Sequence, residues 1–323
     1  MRTITALLFT VICASSFAQN TYRFSQFNLA KSLYNPAALA TDASYSADLI
    51  YRNQWAGIDG APSTFGFNAA YELMEEMAVG INFYSDKIGL TQTNSFTAQY
   101  SYRLIFDKRK YLAFGLGIGG DNYSSDLGSA TVIEANDPAF AQSYSKFRVN
   151  GSFGMYYRSS NFYAGFSIPQ LFQNSSTKIS DTRNIERWHY NVISGYFLEV
   201  SDNFIFNPNV QLKATWNAPI QGDLVLRGIS NNLGFSLGYR TENSLILGMD
   251  YMFAKNVRVG YAFNHDFGSL ARVKGMSHEI CLGLALPYYF NGDGFDRPKY
   301  IGRKGGMKMD YSRRYQRLKR RNL

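Results

Sequence analysis

The chain has 323 residues, 33 Lys and Arg against 24 Asp and Glu, a formal net charge of +9 and a mean hydropathy of −0.24. That length suits either two soluble domains or one large sheet, and 24 Tyr and 25 Phe beside only 8 Pro favour a strand-rich chain with aromatic belts. Beyond the N-terminus there is no run of about 18 apolar residues, which excludes helical membrane spans and leaves a closed barrel as the spanning alternative.

The chain opens with Met1-Arg2, an apolar run from Ile4 to Cys13 and a small-x-small site at Ser16-Phe17-Ala18, the pattern of a signal peptide over 1–18 with Gln19 as first mature residue. A lipoprotein anchor at Cys13 is disfavoured because Ile12, not a small residue, precedes it. The mature chain then keeps one cysteine, Cys281, and has no intramolecular disulfide. Residues 19–43 are polar and aromatic, with Asn35-Pro36-Ala37 breaking regular structure, and form the natural candidate for an internal plug. Period-two alternation then predicts fourteen strands near 44–53, 63–72, 76–85, 92–105, 110–121, 147–158, 161–168, 188–199, 203–214, 222–230, 232–240, 244–252, 256–265 and 277–289. The fold class expected is therefore all-β: a transmembrane antiparallel up-and-down barrel over 44–290, with both ends of the strand order on the periplasmic side. On this register the connections near Glu72–Glu75, Asp107-Lys108-Arg109, Ser159-Ser160, Ser201-Asp202, Asn231 and Lys255 are tight periplasmic turns. Segments 54–62, 86–91, 122–146, 169–187 and 266–276 are extracellular loops. Residues 297–323 hold eleven Lys or Arg against Asp310, a net of +10, so residues 19–296 sum to −2 and the basic charge belongs to the tail, 291–323.

The alternation assigns faces. Val257, Val259, Tyr261 and Phe263 point to lipid while Arg258, Gly260, Ala262 and Asn264 point inward; Leu112, Phe114, Leu116 and Ile118 point out while Ala113, Gly115, Gly117 and Gly119 point in. The inward glycines read first as backbone bending and room for neighbours; the sharper alternative is close approach of a plug or bound polypeptide. Arg227, Arg240, Asp250 and Arg258 fall on inward positions, where pairing with one another or a plug is favoured over a permeation path.

The stretch from Tyr51 to Phe65, Tyr-Arg-Asn-Gln-Trp-Ala-Gly-Ile-Asp-Gly-Ala-Pro-Ser-Thr-Phe, resembles the PorP/SprF family of outer-membrane proteins of the type IX secretion system. Further landmarks agree: Tyr34-Asn35-Pro36-Ala37, Asp86-Lys87-Ile88-Gly89, Asn136-Asp137-Pro138, the run Phe162 to Pro169, and Ser277-His278-Glu279-Ile280. The resemblance spans about 19–290. It implies a non-enzymatic outer-membrane barrel of secretion, surface attachment or gliding motility. Its implied partners are secreted proteins with a type B C-terminal domain outside and peptidoglycan-bound or motor-associated proteins in the periplasm. The basic tail is outside the family pattern. The alternative from a different class is a porin or substrate-specific transporter.

The candidate partner-binding residues are Arg52, Asn53, Gln54, Trp55, Gly57, Ile58, Asp59, Gly60 and Pro62, with Asp86 and Lys87 from the following loop. Trp55, Ile58 and Pro62 are apolar anchors and Gly57 and Asp59-Gly60 supply tight turns; alternatively Trp55 is a girdle residue and the loop caps the lumen. Catalysis has little support. His189, His265 and His278 lie in no metal-ligand spacing, Ser277 and His278 point to opposite faces of one strand, and Gly115-x-Gly117-x-Gly119-Gly120 sits inside a strand rather than before a helix. No cofactor or metal is expected. In the tail, Arg313, Arg314, Arg317, Lys319, Arg320 and Arg321 would meet an acidic protein, anionic lipid or the cell-wall polymer rather than nucleic acid, which the signal peptide excludes as a partner; the alternative is a solvated tail.

Overall fold

The computed structural model describes residues 23–286 apart from 42, 108–109, 130–142, 173–174, 177–183, 186–187, 217, 242, 254–255 and 268–275. The signal segment, the Asn136-Asp137-Pro138 motif and the basic tail, with Arg313, Arg314, Arg317, Lys319, Arg320 and Arg321, lie outside the described residues. The strands are β1 (Tyr45–Asn53), β2 (Ser63–Met74), β3 (Met77–Ile88), β4 (Thr91–Asp107), β5 (Lys110–Ser125), β6 (Tyr144–Arg158) and β7 (Phe162–Ile168). They continue as β8 (His189–Tyr196, resuming at Leu198–Ser201), β9 (Phe204–Thr215), β10 (Gln221–Ser230), β11 (Leu233–Arg240), β12 (Ser244–Phe253), β13 (Val257–Asp266) and β14 (Ser277–Leu286). Each pairs antiparallel with its neighbours in sequence, and β14 closes on β1 with Cys281 opposite Ile50. This is the fourteen-strand up-and-down barrel expected from the alternation.

Closure satisfies every ladder without leaving an edge, the condition for a sheet in lipid. The faces follow the sequence. In β14, Glu279, Cys281, Gly283 and Ala285 are buried while Ile280, Leu282, Leu284 and Leu286 are exposed to the outside. Leu116 and Ile118 of β5, Leu237 of β11 and Leu247 of β12 continue the apolar band around the barrel.

One rim carries turns of two or three residues, at 75–76, 159–161, 202–203 and 231–232. The other carries 54–62, 126–143, 169–188 and 267–276. Two expected loops are shorter than the sequence suggested. The 86–91 segment is a two-residue turn at Gly89-Leu90, because the ladder runs to Ile88 opposite Thr91, so Asp86 and Lys87 are strand residues. The 122–146 loop shrinks to 126–143, because Ser125 and Tyr144 still pair.

Residues 23–41 lie inside the lumen. Phe24, Phe27, Ala30, Leu33, Tyr34, Ala37 and Leu39 are essentially buried, most of them in one cluster with the wall residues Ile50, Ile193, Ile205, Val225 and Ile246. The segment starts with Arg23 beside Asp223, two residues into β10 from the long-loop rim. It descends to Asn28 and Leu29, near Asn232 and Arg258 at the short-turn end. It returns through a 3-10 turn, Lys31–Leu33, to Tyr34, whose hydroxyl accepts from the Phe24 amide at 2.7 Å. It then runs down through a second 3-10 turn, Pro36–Ala38, to Leu39 and Ala40 beside Arg103. Proline explains the second turn: Asn35, held extended before it, accepts from the Ala37 amide at 2.9 Å, and Pro36 opens the turn where no donor is needed.

The inward glycines divide between the two readings: some leave room for neighbouring wall side chains, others for the plug. A Cβ on Gly115 would collide with the backbone of Pro36 and Ala37, one on Gly154 with the Asn35 amide, and one on Gly260 with Gln26. These are plug contacts. Gly117 instead makes room for Ser152, and Gly234 for Asp250.

Gly234 allows a pair to reach across a strand. Arg227 of β10 and Asp250 of β12 form two hydrogen bonds, at 2.9 and 2.5 Å, over the glycine of β11. Arg258 of β13 meets Asp48 of β1 at 3.2 Å in the same way, both in register with Gly283. The inward charges therefore pair, as the favoured sequence reading held.

Two outcomes follow. Gly154→Ala is expected to loosen the plug by about 1–3 kcal/mol through overpacking, seen as faster amide exchange over 23–43, and the increment should shrink in an Asn35→Ala background. Arg227→Ala is expected to destabilise the barrel in lipid by about 3–5 kcal/mol, since it strands a buried carboxylate, whereas Arg227→Met with Asp250→Leu recovers most of that in denaturant unfolding.

Candidate functional site

The lumen wall grips the plug mainly by its backbone. The Glu279 carboxylate accepts the amides of Ser25 and Gln26, each at 2.8 Å. Arg258 donates to the Leu29 carbonyl at 2.5 Å, Asn82 to Leu33 at 3.0 Å, Ser167 to Tyr34 at 2.7 Å and Ser101 to Ala37 at 3.3 Å. One Arg103 nitrogen serves the carbonyls of Leu39 and Ala40 at 2.8 and 2.6 Å. In the other direction Asn35 donates to wall carbonyls, Met155 of β6 at 2.9 Å and Phe166 of β7 at 3.2 Å. Buried backbone groups need such partners, because each one left unmet costs about 1–3 kcal/mol.

The same wall residues are balanced among themselves. Arg240 is held by Asp223 through two hydrogen bonds at 3.0 and 2.9 Å, its register partner across β10 and β11. Arg52 and Glu279, register partners across β1 and β14, approach to 3.5 Å, and Arg103 reaches Glu72 at 3.3 Å. From the plug, Arg23 adds a contact of 2.8 Å to Asp223.

At the long-loop rim, loop 54–62 is tied down at its base and open at its apex. Gln54 donates its amide to the Pro62 carbonyl at 2.9 Å, Ala56 to Met276 at 2.8 Å and Gly89 to Gly60 at 3.0 Å. Trp55 is the pin: its amide donates to Ser277 Oγ at 3.2 Å and its indole Nε1 to Asp266 Oδ2 at 3.0 Å. These bonds hold Trp55 in the left-handed region at φ 53°, where a bulky side chain is uncommon. Gly57 and Gly60, at φ 92° and 74°, complete the turns, and Gly57, Ile58, Asp59 and Gly60 form the exposed apex.

The sequence-derived candidates thus separate by depth. Arg52 is a buried luminal residue whose guanidinium also donates to Ser25 Oγ at 3.1 Å. Asn53, Gln54 and Trp55 are half-buried at the loop base and Pro62 at its exit; Asp86 accepts from Thr64 Oγ1 at 2.6 Å on the wall, next to exposed Lys87. Sequence reasoning missed Glu279 as the residue that clasps the plug, and missed Asp266 as the anchor of Trp55. Glu279 was legible as an inward carboxylate in the Ser277-His278-Glu279-Ile280 motif; the Asp266 contact spans 211 residues and had no local signal. Ser277 is buried and His278 faces outward, its Nδ1 2.7 Å from the Tyr261 hydroxyl, so the two do not form a nucleophile and base pair. Among the described residues no group of three or more His, Cys, Asp or Glu could hold a metal ion.

No curated protein matches the chain. Among solved structures it is similar to a CymD monoaromatic hydrocarbon channel, at 13% identity over 80% of this chain and 94% of that one, with a TM-score of 0.51. It is less similar to the Ralstonia pickettii toluene transporter TbuX, at 10% identity over 79% and 93% with a TM-score of 0.45. A Pseudomonas aeruginosa FadL homologue gives 10% identity over 84% and 98%, also at 0.45. At these identities the likeness is one of fold, that of an outer-membrane barrel. The family of the type IX secretion system membrane protein PorP/SprF matches residues 16–284, most of the barrel and its plug, and the chain belongs to that family.

Proposed function

We propose that this barrel is a non-enzymatic part of the type IX secretion and gliding machinery. It holds an exported surface protein, of the kind with a type B C-terminal domain, at its long-loop face, and engages a periplasmic scaffold at its short-turn face. The observation that carries this reading is the lumen: residues 23–43 occupy it and are bonded to strands around its wall. A channel needs a path; an anchoring barrel needs rigid rims. The apex Gly57–Gly60, with Ile58 37% exposed, projects from a base fixed at Trp55, so a partner meets a preformed surface. Lys87, on the neighbouring strand, adds a charge beside that apex. The basic tail, with Arg313, Arg314, Arg317, Lys319, Arg320 and Arg321, supplies a periplasmic contact for an acidic protein, anionic lipid or cell-wall polymer.

The transporter reading starts from the likeness to solved structures described as a hydrocarbon channel and toluene transporters. Conductance separates the two. A tagged barrel drawn from gently solubilised outer membrane is expected to bring down a large exported protein and periplasmic scaffold proteins, and to conduct little in planar bilayers. A lone barrel that passes small solutes would replace the anchoring reading with transport.

At the loop, Ile58→Asp with Asp59→Lys should cut capture of the exported partner at least tenfold, equivalent to about 1.4 kcal/mol, while barrel assembly stays normal; undiminished capture would remove the apex from the site. Deleting 297–323 should release the periplasmic partner alone, and binding of that partner to the intact chain should weaken steeply between low and physiological salt. Salt-indifferent binding argues that the tail is only solvated.

A further inference from the structure

The contacts between wall and plug have a division of labour. Five wall guanidiniums have a wall carboxylate: Arg52 with Glu279, Arg103 with Glu72, Arg227 with Asp250, Arg240 with Asp223 and Arg258 with Asp48. None of these pairs needs the plug for its counter-charge. What the wall offers the plug is addressed mainly to backbone: Glu279 to two successive amides, and Arg258, Asn82, Ser167, Ser101 and Arg103 to carbonyls. The side-chain exceptions are Ser25 Oγ, which accepts from Arg52 and Arg240, and Arg23, which shares an Asp223 that Arg240 already holds. A plug that supplied half of several buried ion pairs could not leave without stranding charge. A plug held by its amides and carbonyls leaves behind groups that water, or another polypeptide backbone, satisfies equally.

Side chains add a pattern rather than a sequence. Phe24, Phe27, Leu33 and Tyr34 fill apolar space against Ile50, Ile193, Val225 and Ile246, and Ala37 passes where Gly115 brings the wall close. A chain that takes the same two turns, with bulky apolar groups at those spacings and small groups opposite the glycines, presents the same surface.

We propose that the lumen is a polypeptide-binding site that recognises main chain, that the segment beginning at Arg23 is its resident occupant, and that a segment of another protein able to take the same folded-back path displaces it. This deepens the anchoring reading and rests on it for the source of that segment, the exported partner. The geometry itself asks for a polypeptide that can form the turns seen at Lys31–Leu33 and Pro36–Ala38.

The test uses the full-length barrel with a specific protease site inserted between Thr41 and Ser44, cut after folding and purification in detergent. The cut plug is expected to exchange with an added fluorescent peptide of residues 23–40. It should also exchange with a peptide that keeps Phe24, Phe27, Ala30, Leu33, Tyr34 and Ala37 but alters the polar positions other than Asn35, with affinity within about tenfold of the native peptide. A peptide carrying Ala37→Leu should fail to enter, and the heat-dependent gel mobility of the barrel should not change. If the cut plug stays in place under every condition that leaves the barrel folded, or if only the native sequence exchanges, the inference is overturned. Capture of the exported partner by the uncut barrel is a separate measurement. Exchange without capture removes the anchoring function and leaves the site; capture without exchange removes the site and leaves the function.

Discussion

A chain drawn through a protein lumen must place every amide and carbonyl it carries there, and this barrel depends on how that demand is met. The Glu279 carboxylate takes two adjacent amides, and Arg103 takes two adjacent carbonyls near the other end of the segment. Between them Asn35 works in both directions, closing its own turn at Ala37 while donating to strands β6 and β7. Each hydrogen bond is worth about 1 kcal/mol net, or about 1.5–3 where a charged group takes part, and these bonds act together with the burial of Phe24, Phe27, Leu33 and Leu39 against the entropy of ordering the segment.

That demand also explains the composition of the inward face. A wall that approaches a backbone closely needs positions without side chains, hence Gly115, Gly154 and Gly260 where the plug runs. A wall that carries guanidiniums for carbonyls needs carboxylates to hold them; Arg52 and Arg240 find theirs in register on the neighbouring strand, whereas others must reach one strand further. Small residues solve this: Arg227 reaches Asp250 over Gly234, and Arg258 reaches Asp48 over Gly283. Five of the inward guanidiniums are therefore paired with carboxylates of the wall itself.

Much of this was legible in the sequence because a strand in lipid has so few options. Period-two alternation in Val257–Phe263 and Ile280–Leu286 fixed both the faces and the number of strands, and the resemblance carried by Tyr51–Phe65 pointed to the family to which the chain belongs. Residues 19–43 stand out as the plug candidate because they are polar and aromatic and Asn35-Pro36-Ala37 breaks any regular element. What remained hidden depended on register and closure. Nothing local tells that Trp55 donates to Asp266, or that Glu279 turns toward Ser25, since each contact joins residues more than 200 positions apart. Loop lengths failed for a simpler reason: polar residues such as Asp86, Lys87, Asn122 and Ser145 read as loop, yet they continue the ladders where the wall rises above the apolar band.

The division between base and apex in loop 54–62 gives the rim its functional character. Trp55 is an anchor residue turned back onto its own barrel, and its left-handed backbone is held by bonds to Ser277 and Asp266. A loop fixed at its base has little conformational entropy left to lose, so the exposed groups of Gly57–Gly60 stand on an ordered support. Ser277 binds the loop and Glu279, two residues along the same inward face, binds the plug. The start of β14 is thus shared by the long-loop surface and the luminal segment.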